Sequence, residues 1–287
     1  MKRLKIILEE IRTFVNGLIS FLAVIVISRH PKRIKQDKGT CYVLGMGPSL
    51  RDFLTLRTTL PSCPIFAVNY FCLGEDFFKV KPDNYIFVDP VLIDDYTNER
   101  WSIKRNQLIE NLAKVDWNIQ LFVPYHKRNS KLIIDIKKKC PLVTIRTINV
   151  TPVDGHTSFR NFIFKWQLGM PKAYNVLNAA LMSAIFEGYT DIKLFGADHS
   201  WIEQFYFNEK EELCAKDIHY NDGQSAYSFV LPKGALEEGI FAFASCLKSY
   251  RYIEDFAKNN AIKIVNCSRH SYLDVFDREV IKCDVEK

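Results

Sequence analysis

The stretch CYVLGMGPSL, residues 41–50, decides the architecture. Its first four residues are an apolar run rich in strand formers, short enough for a strand buried on both faces. The run breaks at Gly45-Met46-Gly47-Pro48 and hands over to Ser49 and Leu50. A buried strand that turns sharply into a helix is the opening unit of a parallel α/β sheet. Glycines at 45 and 47 let the backbone approach a ligand without a Cβ clash, and Ser49 is placed to cap the helix that follows. Exposed amides in such a turn suit a phosphate. The turn is not the dinucleotide fingerprint, because a third glycine is missing and Pro48 stiffens it; nor does it hold the Gly-Lys-Ser/Thr of a P-loop.

Outward from this unit, short β-branched or aromatic runs alternate with longer helical patterns. The pattern predicts strands at 41–44, 65–68, 85–88, 120–123, 143–146, 192–195 and 262–265, and helices at 98–115, 130–139, 174–187, 235–259 and 272–280. The expected fold is a doubly wound, mostly parallel, Rossmann-like sheet forming a single domain over residues 39–287. In such a sheet ligands bind beyond the carboxyl ends of the strands, where strand order reverses. Five of the expected strands run into Gly45-Met46-Gly47, Asn69, Asp89, Gly196-Ala197-Asp198-His199 and Asn266, which predicts a cleft along one edge. Residues 201–232 are aromatic, charged and weakly periodic, as expected of a lid. Phe77-Phe78 reads as core packing.

Charge is distributed unevenly. Residues 1–38 carry nine Lys or Arg against Glu9, Glu10 and Asp37, which accounts for the whole net charge of +6. The remainder is neutral and lacks the basic stripe of a nucleic-acid binder. On a helix, Lys5, Glu9, Arg12, Asn16 and Ser20 form a polar stripe opposite Ile7, Leu8, Ile11, Leu18, Leu22 and Ile25. The apolar stretch 14–28 is short for a ~30 Å hydrocarbon core and ends in Ser28-Arg29-His30 rather than at a cleavage site. Residues 1–38 therefore read as a basic amphipathic helix and linker lying on an anionic membrane surface. Packing against the domain or a second copy, a short span and a solvated basic tail are the alternatives. Pro31 is expected to end the helix. Eight scattered cysteines without C-x-x-C pairs fit a reducing compartment, so the expected location is the cytoplasmic face of the membrane.

GMGPSL, then FAVNYF, then IFVDP resemble the opening of the bacterial glycosyltransferase family 42 sialyltransferases. ALMSAIFEGYTDIKLFGAD resembles that family's helix, turn and strand ending in glycine-x-aspartate. SYRYIEDFAKNNAIKIVNCSRHSYLDVF resembles its closing helix, strand and serine-bearing loop. The same glycine turn occurs in 6-hydroxymethylpterin pyrophosphokinase-like domains and flagellin glycosylation factors. The resemblance implies a single-domain variant of the GT-A fold. It also implies an inverting, metal-independent transfer from a CMP-activated acidic sugar to a glycan hydroxyl, with no cofactor beyond the CMP-sugar itself.

Carried over by motif, Gly45, Gly47, Ser49, Asn69 and Asp89 would hold the nucleotide. Asn175, with Asn178 behind it, stands where the family places donor-binding hydroxyls. His219 in the lid would be the general base, a role an imidazole suits because its ordinary pKa leaves it neutral near pH 7. Tyr220 and Tyr227 would serve the phosphate, with Asp198, His199, Ser268 and Ser271 as further candidates. Met46 and Asp89 depart from the family, where asparagines stand. Asp89 replaces an amide by an acceptor-only carboxylate, which suits a ribose hydroxyl or a base amine better than a phosphate. His199 is the rival base or a structural histidine bonded to a loop carbonyl. His156 meets an acceptor or caps a turn. Asp198, His199, His219 and Asp222 lack metal-ligand spacing, so no metal is expected.

The expected partners are a nucleotide-sugar donor, a cell-surface or lipid-linked glycan acceptor and the anionic membrane, with no nucleic acid. A homo-oligomer stays open. An ATP-dependent pyrophosphokinase and a non-catalytic membrane-docked scaffold of envelope glycan assembly are the competing functions.

Overall fold

A computed structural model describes residues 2–34, 37–94, 99–217, 227–279 and 281. Eight parallel strands form one sheet: β1 (Thr40–Leu44), β2 (Ile65–Val68), β3 (Asn84–Ile86), β4 (Ile119–Pro124), β5 (Val143–Ile148), β6 (Asp191–Phe195), β10 (Lys263–Asn266) and β11 (Asp277–Arg278). Their order is β11-β10-β6-β1-β2-β3-β4-β5. The chain steps outward from β1 to β5, returns to β6 beside β1, and continues the other way. Strand order thus reverses between β1 and β6, which opens a crevice at their carboxyl ends.

Successive residues of the strands feed opposite cores. Cys41, Val43, Phe66, Val68 and Ile86 face one, while Tyr42, Leu44, Ile65, Ala67 and Tyr85 face the other. The first core is closed by α7 (Thr157–Lys165), α8 (Val176–Glu187) and α9 (Ala235–Lys258). The second is closed by α2 (Leu50–Leu56), α3 (Asp76–Val80), α4 (Pro90–Asp94), α5 (Glu99–Ala113) and α6 (Lys131–Lys139). Helices on both faces make the fold doubly wound. Helix α8 is apolar all round and nearly every side chain from Leu177 to Phe186 is buried, as a helix in the centre of a layer requires. Phe77 is fully buried.

Two expectations need correction. The helix expected at 272–280 is a bent segment ending in β11, a short strand on the sheet edge. Leu273 and Phe276 are buried, Asn266 Nδ2 donates to the Leu273 carbonyl, and Arg278 donates to the Ser268 and Ser271 carbonyls. These bonds join residues seven to ten apart and hold an extended path that local periodicity alone reads as helical. The insertion at 201–232 is also more regular than expected. A 3-10 turn, Ser200–Gln204, leads into an antiparallel sheet of β7 (Phe205–Phe207), β8 (Leu213–Asp217) and β9 (Tyr227–Val230).

Helix α1 (Lys2–Ile27) meets the domain with the later part of its polar stripe, Asn16 and Ser20. The Asp154 amide donates to Ser20 Oγ at 2.9 Å, and Asn16 Nδ2 donates to Asp154 Oδ2 at 3.4 Å. Gly17 lies against Gly155 so closely that a Cβ on Gly155 would stand 2.6 Å from Gly17 Cα. Ser20, Val24 and Ser28 are buried in one row, whereas Ile7, Leu8, Ile11, Leu18, Leu22 and Ile25 are all exposed. Small and polar residues let the helix approach; the apolar face points away. The helix is long and apolar enough to cross a membrane by length and composition. Every side chain from Arg3 to Arg12 is exposed, but this free portion is only about 15 Å long. That is half of a ~30 Å hydrocarbon core.

Candidate functional site

The crevice at the β1–β6 switch holds a cleft of about 330 Å³. Its floor is Met46, Gly47 and Pro48 after β1, Val68 and Asn69 at the end of β2, and Gly196, Asp198 and His199 after β6. Asp89 beyond β3, the α8 start at Asn175–Leu177, and the rings of Tyr70, Trp101 and Trp201 form its walls. Gly47, Asn69, Asp89, Asn175, Asp198 and His199 therefore share one cavity, and apolar side chains do not plug it.

The glycine turn has a different job from the expected one. Gly45 N donates to the Phe195 carbonyl at 2.7 Å and Gly47 N to the Gly196 carbonyl at 2.9 Å, so neither amide is open to a phosphate. A Cβ on Gly45 would stand 2.3 Å from the Gly196 oxygen, and one on Gly47 2.1 Å from Asp198 Oδ2. The glycines are required because two strand ends are pressed together. Gly45 does not line the cleft. Ser49 does not cap α2 with its side chain; its Oγ and amide both donate to Asp198, at 2.8 and 3.0 Å. Burial raises the Asp198 pKa, while the Ser49 bonds pull it back. This carboxylate clamps the turn rather than awaiting a phosphate.

Ser268 and Ser271 are likewise spent inside the fold. Ser268 Oγ accepts from the Ala197 amide at 2.8 Å, Ser271 Oγ donates to the Ala197 carbonyl, and neither lines the cleft. Asn266, expected at the cleft, is fully buried and bonds Ser271, Leu273 and Ser268. His156 caps α7, its Nδ1 accepting from Ser158 N.

The other half of the rim has spare capacity. Asn69 sits at φ +44°, a left-handed conformation that asparagine tolerates, and its Oδ1 is buried without a hydrogen-bond partner among the described residues. Asp89 Oδ1 accepts from the Val91 amide at 2.9 Å and thereby starts α4. Asn175 closes a capping box: its Oδ1 accepts from Leu177 N at 2.8 Å, and its own amide donates to Asn178 Oδ1 at 3.2 Å. It is thus a cap as well as a lining residue, and it aims the positive end of a 12-residue helix into the cleft. Tyr70 and Trp101 stack at 5.8 Å and 18°, with Lys104 over both rings.

His199, also left-handed at φ +52°, pairs its Nε2 with the Tyr250 hydroxyl at 2.8 Å, not with a loop carbonyl. Burial drives its pKa down to about 4, so the imidazole is neutral. Trp201 packs edge-on against it. His219, Tyr220 and Asp222 lie outside the described residues; Tyr227 opens β9, and its side chain is likewise outside them. Among the described residues no three His, Cys, Asp or Glu side chains come together to hold a metal ion. Six of the seven described cysteines are buried, and burial pushes Cys72, Cys246 and Cys267 up to about 12, where thiols are inert.

The sequence reading missed Trp101, Trp201, Gln204 and Tyr250. Trp101 offers one signal, a lone aromatic in the otherwise polar run Glu99-Arg100-Trp101-Ser102. Tyr250 offers none, since it sits on the buried face of an amphipathic helix.

No family model and no curated protein matches the chain. Among solved structures, the MAf glycosyltransferase from Magnetospirillum magneticum AMB-1 is similar at a TM-score of 0.48 and 10% identity, covering 90% of this chain and 37% of that one. The chain therefore spans little more than a third of that protein. The monofunctional alpha-2,3-sialyltransferase Cst-I from Campylobacter jejuni is similar at a TM-score of 0.39 and 14% identity, covering 87% of this chain and 83% of that one. Both neighbours are glycosyltransferases by name; at these values the likeness carries no argument about the chemistry of this chain.

Proposed function

We propose that the chain is a glycosyltransferase that moves a sugar from a CMP-activated donor to a cell-surface or lipid-linked glycan hydroxyl, with inversion and without a metal. The observation that carries the reading is the convergence of Asn69, Asp89, Asn175 and the Tyr70–Trp101 pair on one cleft at the sheet's switch point. The base stacks against the aromatic wall and brings an amino group to Asn69 Oδ1, an acceptor that no described residue answers. Asp89 receives a ribose hydroxyl through its outer oxygen. The donor phosphate lies at the start of α8, where the helix dipole favours an anion. His219 takes the acceptor proton; the oxygen attacks the anomeric carbon, and the bond to the phosphate breaks as CMP leaves. His199, neutral and already on the floor of the cleft, is the rival base, with Tyr250 orienting it. Tyr220 and Tyr227 hold the leaving phosphate.

The sialic-acid or Kdo-like character of the sugar rests on the motif resemblance. The apolar outer face of α1 supports a seat on the cytoplasmic membrane surface. The pyrophosphokinase reading needs carboxylates free to hold magnesium, and Asp198 is committed to Ser49. Purified protein given a panel of nucleotide sugars, with and without acceptor lipids, should release CMP from at least one CMP-sugar. Release from none, together with thermal stabilisation by ATP but not by CMP, would replace the reading with the pyrophosphokinase.

A further inference from the structure

A second cleft, of about 300 Å³, opens where α1 ends. It is lined by Arg29, His30, Lys32, Tyr125, Arg146 and Asn149, among others, and by a single acid, Glu187. Burial would raise the Glu187 pKa, but Lys38 at 3.1 Å and Arg146 at 3.4 Å hold it below the ordinary carboxylate value, so its charge is already answered. The Arg29 guanidinium meets only backbone carbonyls of Ile25 and Ser28 among the described residues. Lys32 has no side-chain partner among them.

This basic segment is pinned. Asn149 accepts from Arg29 N at 3.1 Å and donates to the Arg29 carbonyl at 2.7 Å. Lys32 N donates to the Trp166 carbonyl and Ile34 N to the Lys165 carbonyl. Residues 28–34 are thus an ordered wall, not a solvated tail. The surface beside it is greasy: Ile25, Val26 and Ile27 of α1 are exposed, and so are Phe162 and Trp166 at the end of α7. An apolar face bordered by a cationic hollow matches a phospholipid, which joins acyl chains to an anionic phosphate.

We propose that this cleft binds the phosphate headgroup of an anionic membrane lipid, with the acyl region against the outer face of α1 and the exposed rings of α7. The site lies at the Glu187 end of α8, roughly 18 Å along the helix axis from the donor cleft at Asn175. It rests on the membrane-seating part of the proposed function and adds a defined headgroup site to it.

Flotation of the full chain with phosphatidylcholine vesicles, with and without phosphatidylglycerol, tests it. The wild type should float with the anionic vesicles and resist competition by millimolar inorganic phosphate or glycerol phosphate. Arg29→Ala with Lys32→Ala should weaken that binding by about 25-fold, as expected for two cations each worth roughly a fivefold factor. Arg29→Lys with Lys32→Arg should retain it. Arg3→Ala with Lys5→Ala removes as much charge from the free end of the helix and should lose clearly less. A matched melting temperature excludes misfolding of each variant. Equal losses in the two Ala pairs, or binding indifferent to phosphatidylglycerol, would overturn the headgroup site and leave the membrane seat standing. Displacement by free phosphate at low concentration would reassign the cleft to a soluble anion. Failure to float with any vesicle would remove both.

Discussion

At β1, β6 and β10 the chain ends its strands in Ser49, Asp198, Asn266, Ser268 and Ser271; Ser49, Asp198, Ser268 and Ser271 each bond another loop of the same rim, and Asn266 bonds within its own. At β2 and β3 it ends them in Asn69 and Asp89; among the described residues, one has a buried oxygen without a partner and the other bonds its own helix start. The two halves have the same polarity in the sequence and opposite roles in space. A side chain whose hydrogen bonds are complete inside the fold holds the cleft open, whereas one with an unmet bond carries a cost of roughly 1–3 kcal/mol that a ligand can recover. Stability and turnover should therefore separate along the line between the two halves.

The largest expected effect is on the closed half and appears in stability. The His199 pKa is depressed by burial from 6.5 to about 4. Its contribution is complete above pH 6.5 and is lost as pH falls toward 4, because the unfolded chain takes up the proton first; the span is on the order of 3 kcal/mol. Asp198, whose pKa burial raises, works the other way and gains as pH falls. Urea midpoints measured from pH 7 to 4 should drop for the wild type, and the His199→Phe slope should be flatter. Identical slopes would show that the imidazole is not buried neutral.

Next comes the open half. Asn69→Gly keeps the positive φ without steric cost and deletes only the unanswered acceptor. CMP release should fall by roughly a hundredfold, about 2.7 kcal/mol, with the melting temperature unchanged or raised. A variant with full activity would move Asn69 out of the donor site. Ser49→Ala is its mirror. It strips one bond from a buried carboxylate and should cost about 2 kcal/mol in urea unfolding, while the activity of the folded fraction stays within about twofold.

This division explains how much could be read in advance. The seven principal strands were legible because short apolar runs such as Tyr42-Val43-Leu44 feed two cores at once. The glycine turn was legible as a place where no Cβ fits, but not as to what fills the space. A ligand and the Gly196 carbonyl make the same demand on residue 45. Residues 272–280 misled because Tyr272, Leu273 and Phe276 have helical spacing, whereas the bonds that override it join residues seven to ten apart, from Asn266 to Leu273 and from Arg278 to Ser268 and Ser271, a span no helix bonds across. In α1 the two faces were evident, but which one meets the domain depends on Gly155 and Asp154, more than 130 residues away. The Tyr70–Trp101 wall joins the end of β2 to a helix that no shared motif contains.

That wall gives the smallest and most discriminating effect. A base stacked on an aromatic ring gains roughly 1–3 kcal/mol. Here Tyr70 lies beside Trp101, and Lys104 covers both rings. Trp101→Ala leaves Tyr70 as a partial platform, so about 1.4 kcal/mol, a tenfold rise in the KM for the donor, is the expected loss. The kcat should move little, because stacking on the base is the same before and during transfer and so is uniform binding. Trp101→Phe should recover most of it, since it restores a ring face and needs no hydrogen bond. If kcat falls instead while KM holds, Trp101 acts on the reacting end of the cleft. The base would then lie toward Trp201, on the half of the rim whose polar groups are already spent.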